Sequence, residues 1–493
     1  MSLDHDDDMV TRLSSSRIDD SNLNLTKQEK ELQKLQEEKQ KLMINQNQQY
    51  LNQLFEENST QPIRIKNIQL TNGQSFRDDF IQAQFQPLLE NSLPITLSEF
   101  VSKIDEISRS FTKLGVVEQI MVSINQLPKY RGRFASKSPC LDIVPIFNIL
   151  PVKRFYAKTG TNIGNGEGDG YIQFQLKNIF GGGENLILDA ITGTKTQSSY
   201  LLNYIQPIFN SSNYISENLV YMNTRKFDWI GSEVITKGIT NKIYTQHDNT
   251  KLSHEFILEN VWKVLNNLNS KSNDILAQSG HNFKSSLIYN CTYDTRDNKH
   301  LPLLGKYLRW GLEYNGLFKF NHSPFIKSVF ESQFVIPINK ILSSLILTNK
   351  CGFLYPLSKT SFVLDRFFIG GANDVRSFTM NGLGPKQYNS STGGDVFLNG
   401  GISLVSKIPK VDPDSNFKIH NFLNFGKLLP LDKTKMGSLA DQFTKQYSVS
   451  FGSGILYNHP MARFELNICL PLMVNERDGV RKGLQYGIGM SFL

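Results

Sequence analysis

From about Phe155 to Leu493 the sequence runs with a period of two. Phe464, Leu466, Ile468 and Leu470 fall on one set of alternate positions, and Arg463, Glu465, Asn467 and Cys469 on the other. Ile172, Phe174 and Leu176 alternate with Tyr171, Gln173 and Gln175. Leu484, Tyr486, Ile488, Met490 and Phe492 alternate with Gln485, Gly487, Gly489 and Ser491. Successive side chains of a strand point to opposite faces, so one apolar and one polar or tiny face marks a half-buried strand. Turn signals separate these runs: Asn165-Gly166, Gly181 to Gly183, Asn381-Gly382 and Asn399 to Gly401. Residues 151–493 number 343. At roughly 10 residues per membrane strand plus connections, that is room for about 16 strands of about 21 residues each. Residues 254–268 read both ways, because His254, Phe256, Leu258, Asn260 and Trp262 alternate while LENVWKVLNNL also has helical spacing.

Composition narrows what such strands can build. The chain is 39% hydrophobic with 35 glycines and 33 phenylalanines. It lacks the run of about 18 apolar residues that a membrane helix needs. The longest apolar-rich stretch, Leu141 to Val152, is interrupted by Pro145, Asn148 and Pro151. Cys140, Cys291, Cys351 and Cys469 lie far apart, which excludes a disulfide framework or a paired-cysteine metal site. Two architectures remain, a soluble all-β fold and a barrel that spans a bilayer with strands. The polar strand faces carry Gly, Ser, Asn and Gln with few charges, which suits a narrow wet lumen. The last strand also runs to the final residue. Both points favour the barrel and leave the soluble fold open.

Charge and motifs exclude further classes. The net charge is +8, made of −5 over residues 1–60, +2 over 61–150 and +11 over 151–493. Basic residues do not cluster with aromatics, so a nucleic-acid surface is unsupported. Gly181 to Gly183 lacks the Lys-Ser/Thr of a phosphate loop and reads as a turn. No nucleophile–base or paired-carboxylate pattern marks an enzyme, and no metal or cofactor motif is present. The start, MSLDHDDDMV, is acidic, unlike a secretory signal or a mitochondrial presequence.

Four regions follow. Residues 1–60 form an acidic, then Gln/Lys/Glu-rich tail, mostly disordered, with room for one helix. Residues 61–135 form a small α/β module. Ile63, Ile65, Ile68 and Leu70 suggest a short strand. Leu97, Phe100, Val101, Ile104, Ile107, Phe111 and Leu114 make an amphipathic helix ended by Gly115, and Val116 to Leu127 reads as a strand. Residues 136–154 are a linker, and 155–493 are the strand-rich region.

One segment, 367–386, carries a distinctive loop: Phe367-Phe-Ile-Gly-Gly-Ala-Asn-Asp-Val-Arg-Ser-Phe-Thr-Met-Asn-Gly-Leu-Gly-Pro385. Gly370, Gly371, Gly382 and Gly384 allow close backbone approach, and Pro385 fixes the exit. Asp374 and Arg376 offer a charge pair and Phe378 an aromatic anchor. As a bare pattern this is also an ordinary Gly-rich hairpin loop.

The run Gly370-Gly371-Ala-Asn-Asp374-Val375-Arg376-Ser377-Phe378, followed by Gly382-Leu-Gly384-Pro385, resembles the hallmark loop of the outer-membrane barrel insertase superfamily. Phe155-Tyr-Ala-Lys-Thr-Gly-Thr-Asn162, His459 to Asn467 and Arg481 to Leu493 resemble one branch of it, the core barrel subunit of the mitochondrial sorting and assembly machinery, fungal type. The likeness spans about residues 60–493 and excludes the tail. It implies a 16-stranded transmembrane antiparallel β-barrel behind one polypeptide-transport-associated domain, residues 61–135. It implies that the loop folds into the lumen, where Phe422 and Asn424 of the wall receive Arg376. Two positions depart from the pattern. Ser377 replaces the usual glycine, so its hydroxyl needs a partner. Asn424 stands where bacterial relatives often carry Asp, which leaves a plain hydrogen bond and shifts weight to Phe378 and Asp374.

The resemblance further implies an insertase of the mitochondrial outer membrane whose first and last strands form a lateral gate. The first strand would use Phe155, Ala157, Thr159, Gly160, Thr161 and Ile163. The last would use Gln485, Gly487, Gly489, Met490 and Phe492, where Gln485-x-Gly-x-x-Met-x-Phe492 is similar to the sorting signal of mitochondrial barrel precursors. Gly487 and Gly489 would keep that strand weak. Partners implied are β-barrel precursors, two peripheral cytosolic-side subunits, membrane lipid and a second copy of the chain. The N-terminal domain would face the intermembrane space. A metabolite or polypeptide-conducting pore is the alternative. The N-terminal portion, the inward loop and the size of the strand region weigh against it.

Overall fold

The computed structural model describes residues 39, 42–43, 46–47, 49–50, 52–90, 93–127, 140–164, 167–246, 251–319, 321–339, 343–411, 415–433, 436–459 and 462–489. The expected tail, 1–60, lies mostly outside them, and within it residues 52–58 are helical. The chain divides into two compact units. One takes the described residues up to 70 with 87–106 and 122–147, and the other takes 71–86, 107–121 and 148 onward.

Before the long strands come β1 (Pro62–Ile65), β2 (Gln69–Thr71), α1 (Asp78–Leu89), β3 (Ile95–Thr96), α2 (Leu97–Leu114), β4 (Val117–Gln126) and β5 (Leu141–Pro151). The expected amphipathic helix is α2, which buries Phe100, Ile107 and Phe111 and stops at Gly115. The rings of Phe76, Phe80, Phe85 and Phe111 meet at centroid distances of 5.8–6.2 Å. Residues 136–154, expected as a linker, instead contain β5. It lies between β1 and β2 and also pairs with β4. It runs parallel to β1, with Ile63 opposite Leu141. Ile143, Val144, Phe147 and Ile149 bury along it, and a short continuous apolar run is what a strand covered on both faces requires.

Sixteen of the strands that follow form one antiparallel sheet. In chain order they are β6 (Phe155–Gly164), β7 (Glu167–Lys177), β8 (Asn185–Gly193), β9 (Thr196–Pro207), β10 (Tyr214–Phe227), β11 (Ser232–Thr245) and β12 (Leu252–Asn267). Then come β13 (Gly280–Asp294), β14 (Gly305–Asn315), β15 (Phe325–Asn339) and β16 (Ser343–Pro356). Two short strands, β17 (Lys386–Gln387) and β18 (Ser390–Ser391), form a separate two-stranded sheet. β19 (Val396–Lys407), β20 (Phe417–Leu429), β21 (Ser448–Asn458), β22 (Arg463–Met473) and β23 (Gly483–Gly489) complete the wall. The ambiguous stretch 254–268 is strand β12. Its pairing with β11 and β13 along almost its whole length outweighs the local helical spacing.

Burial in this sheet is inverted relative to a protein in water. On β22, Phe464, Leu466, Ile468 and Leu470 are 38–61% exposed, whereas Arg463, Glu465, Asn467 and Cys469 are at most 5% exposed. On β12, Phe256, Leu258 and Trp262 point outward in the same way. A soluble protein buries its large apolar side chains and seldom its charges. The inversion fits a wall with hydrocarbon outside and a polar lumen within. No helix among the described residues is long and apolar enough to cross a membrane.

Ile468→Lys places an ammonium in the middle of an outward face. It should cost about 2–4 kcal/mol of stability in lipid vesicles, as for a lipid-facing lysine near a bilayer midplane. Denaturant titration of the vesicle-embedded barrel measures this, and an unchanged midpoint would contradict a lipid-facing position for residue 468.

Candidate functional site

The loop between β16 and β19 folds against the inner wall and closes on itself at its base. Phe367 and Gly394 exchange backbone hydrogen bonds of 2.8 and 3.0 Å. Gly370 and Gly371 take φ of 107° and 133°, values that a side chain would strain, and so turn the chain sharply. Asp374 holds that turn. Its Oδ2 accepts from Gly370 N at 2.7 Å, and its Oδ1 accepts from Asn399 Nδ2 of the wall at 2.6 Å. Val375 and Phe378 pack into a core with Ile369, Leu383, Phe397 and Leu428. At the exit, the Pro385 carbonyl accepts from Thr392 N at 3.1 Å.

Arg376 sits at the centre and is wholly buried. Its Nη1 donates to Asn424 Oδ1 at 3.0 Å, and its guanidinium carbon stands 4.5 Å from the centroid of the Phe422 ring. The expected wall residues therefore meet it. The charge partner is a residue that the sequence reading did not single out. Nε and Nη2 both donate to Glu465 Oε2, at 3.1 and 2.8 Å. The expected Asp374–Arg376 charge pair is thus replaced, because Asp374 is already engaged with the Gly370 turn and Asn399. Glu465 also forms an ion pair with Arg463 and accepts from Asn467 Nδ2 at 2.8 Å. The neutral Asn424 is explained by this: the carboxylate comes from β22, two strands away from β20.

The sheet geometry makes that reach possible. β21 separates β20 from β22, and opposite Asn424 and Phe422 its inward positions are Ser450 and Gly452, with the buried Leu456 further along the same face. Gly452 lies opposite Phe422, and a Cβ there would overlap the Phe422 ring. The small Ser450 and the bare Gly452 let the two neighbouring strands converge on one guanidinium. The signal available beforehand was Glu465 itself, an acid on an inward face that it shares with Arg463, Asn467 and Cys469.

The loop also grips the end of the chain. Ser377 N donates to Gln485 Oε1 at 3.1 Å, and Asn373 Nδ2 donates to the Ile488 carbonyl at 2.9 Å. Arg481 N donates to the Ser377 carbonyl at 2.8 Å, Thr379 N to the Gly479 carbonyl at 2.8 Å and Gly479 N to the Gly382 carbonyl at 2.8 Å. Gly384 N reaches Asp478 Oδ1 at 3.3 Å. Ser377 adopts φ 71°, the left-handed region where the usual glycine costs nothing. Its hydroxyl, expected to need a partner, is buried without one among the described residues.

The strand positions proposed for a gate lie at the two ends of the sheet. Phe155, Ala157, Thr159, Gly160, Thr161 and Ile163 belong to β6, whose ladder with β7 runs from Phe155–Leu176 to Gly164–Glu167. Gln485, Gly487 and Gly489 belong to β23. Met490 and Phe492 lie outside the described residues. Among the described residues no ladder joins β6 to β23.

Residues 178–492 match the model of the Omp85 superfamily domain. The chain belongs to the Omp85 superfamily. This Omp85 protein is 31% identical over 465 residues to the SAM50-like protein of Schizosaccharomyces pombe, covering 92% of this chain and 96% of that one. It is 31% identical over 480 residues to the sorting assembly machinery 50 kDa subunit of Saccharomyces cerevisiae, covering 89% and 96%. It is 30% identical to the human sorting and assembly machinery component 50 homolog, covering 80% and 84%. Its fold resembles BamA from Haemophilus ducreyi lacking POTRA domains 1–3, with a TM-score of 0.70 at 14% identity over 87% of this chain and 84% of that one.

Two outcomes follow from the geometry of this Omp85 lumen. Glu465→Gln removes the carboxylate that two buried guanidiniums share and should cost about 3–5 kcal/mol, the usual loss when a buried pair is broken. Arg376→Ala leaves Glu465 still paired with Arg463 and should cost less; denaturant midpoints of the two variants in lipid give the order. Ser377→Gly should stabilise the barrel by about 1 kcal/mol or more, by relieving a left-handed non-glycine residue. An unchanged or lowered midpoint would show that Ser377 is not strained.

Proposed function

We propose that this chain inserts β-barrel precursors into the mitochondrial outer membrane by strand pairing at a lateral gate between β6 and β23. Family membership and relatives named as sorting and assembly machinery components support insertion as the activity. The observation that carries the gate is the sheet with two ends. β6 is laddered only to β7 among the described residues, and β23 only to β22.

The physical need is plain. A strand edge in hydrocarbon leaves backbone N–H and C=O groups unpaired at several kcal/mol each, so a barrel cannot enter lipid one strand at a time. An edge that parts on demand supplies the missing partner. A precursor's last strand adds to β6 by main-chain hydrogen bonds, and alternate side chains select it. Further strands follow, and the finished barrel separates. The inward loop holds β23 and the β22–β23 connection through the bonds to Gln485, Ile488, Arg481 and Gly479. The last strand thereby stays in place while the first is free to exchange partners. Residues 61–135 act as a polypeptide-transport-associated domain on the intermembrane-space side and hand precursors on. Two peripheral cytosolic-side subunits and a second copy of the chain complete the assembly.

Single cysteines at residues 156–161 should crosslink to cysteines in the final strand of an arrested precursor with a period of two. The pattern is read by disulfide trapping in isolated membranes. Crosslinks confined to lumen-facing residues of the opposite wall would point to threading through the pore and overturn the gate.

A further inference from the structure

We propose that Asp365 is a second anchor of the inward loop, a positioning residue that ties its root to strands far from the Arg376 site. This rests on the insertase reading above. Asp365 ends a short 3-10 turn, Val363–Asp365, just before the Gly370 turn, and is 4% exposed. Lys263 Nζ of β12 donates to its Oδ1 at 2.6 Å. Lys327 Nζ of β15 donates to its backbone carbonyl at 2.9 Å and stands 4.4 Å from the centroid of the Phe367 ring. Lys284 Nζ of β13 lies 4.0 Å from the same Oδ1. Lys284 also pairs with Glu313 at 2.6 Å and with Glu259 at 3.0 Å. Three ammonium groups thus face three carboxylates, and one of those carboxylates belongs to the loop.

The apolar neighbours point the same way. Phe362 and Val363 are buried against Ile230, Val234 and Leu265 of the wall. Arg366 turns back to the base, donating to Ser361 Oγ at 2.8 Å and to the Thr392 carbonyl at 3.1 Å. The root therefore sits on β11, β12, β13 and β15, while the tip reaches β20, β22 and β23. In the sheet order β16 and β19 lie between these two arcs of wall. A loop fixed at both arcs is a strut, and its tip can hold β23 only if its root cannot move. Losing the Asp365 carboxylate leaves three lysines facing two acids, a buried imbalance that favours release of the root.

The test compares Asp365→Asn, Lys263→Met and the charge-exchanged pair K263D/D365K with the parent chain, all in lipid vesicles. Asp365→Asn should keep the heat-modifiable folded barrel, lower precursor insertion, because a buried cation cluster loses one of its carboxylates, and speed trypsin cleavage after Arg366. The exchanged pair should recover both readouts at least in part. Parental insertion and parental cleavage in Asp365→Asn overturn the anchor, as does an exchanged pair no better than the single variant. If Asp365→Asn yields no folded barrel, Lys263→Met is judged by the same two readouts. Failure of the parent to insert precursors would sink the insertase reading instead, and the cleavage comparison would still decide the anchor.

Discussion

Backbone groups in hydrocarbon must find their hydrogen-bond partners within the protein. The rest of this structure depends on that constraint. It forces each of the 16 wall strands to pair, and it makes the two strands at the ends of the sheet special. It also accounts for the inverted faces. Once backbone polarity is satisfied laterally, the outward side chains are free to be Phe, Leu and Ile. The inward ones take the polar and charged groups that lipid would reject.

A polar lumen then raises a second problem. Charges facing inward are screened by protein on most sides, and a buried charge without a partner is costly. The lumen answers with clusters. Arg376 and Arg463 meet Glu465, and Lys263, Lys284 and Lys327 meet Asp365, Glu259 and Glu313. In both of these clusters one member, Arg376 or Asp365, comes from the inward loop. The loop is thus part of the electrostatic balance of the wall. Its attachment to Gln485 and Ile488 extends that fixity to β23.

Much of this was legible in the residue order. The alternation on β22 named its outward and inward residues one by one. The helix from Leu97 to Leu114 and its stop at Gly115 were plain, as was a loop built to turn inward. The linker expected at 136–154 failed because Pro145 and Pro151 look like breakers, while Ile143, Phe147 and Ile149 are buried by neighbours that the linear sequence does not reveal. Residues 254–268 stayed ambiguous because period two and helical spacing coincide there, and only pairing with β11 and β13 separates them. Glu465 was visible as an inward residue but not as the partner of Arg376, since 89 positions separate the two.

The sequence alone therefore determined what is local. Periodicity gave the strands and their faces, glycine and proline gave the turns, and the loop motif gave the family. The tertiary structure decided which charges meet. Register across β20, β21 and β22 brings Asn424, Phe422 and Glu465 to one guanidinium, and Ser450 and Gly452 of β21 leave room beside Asn424 and Phe422. Register along β12, β13 and β15 likewise brings three lysines to Asp365. Such meetings depend on strand order and stagger, which are sums over many pairings and are written in no single stretch of the chain.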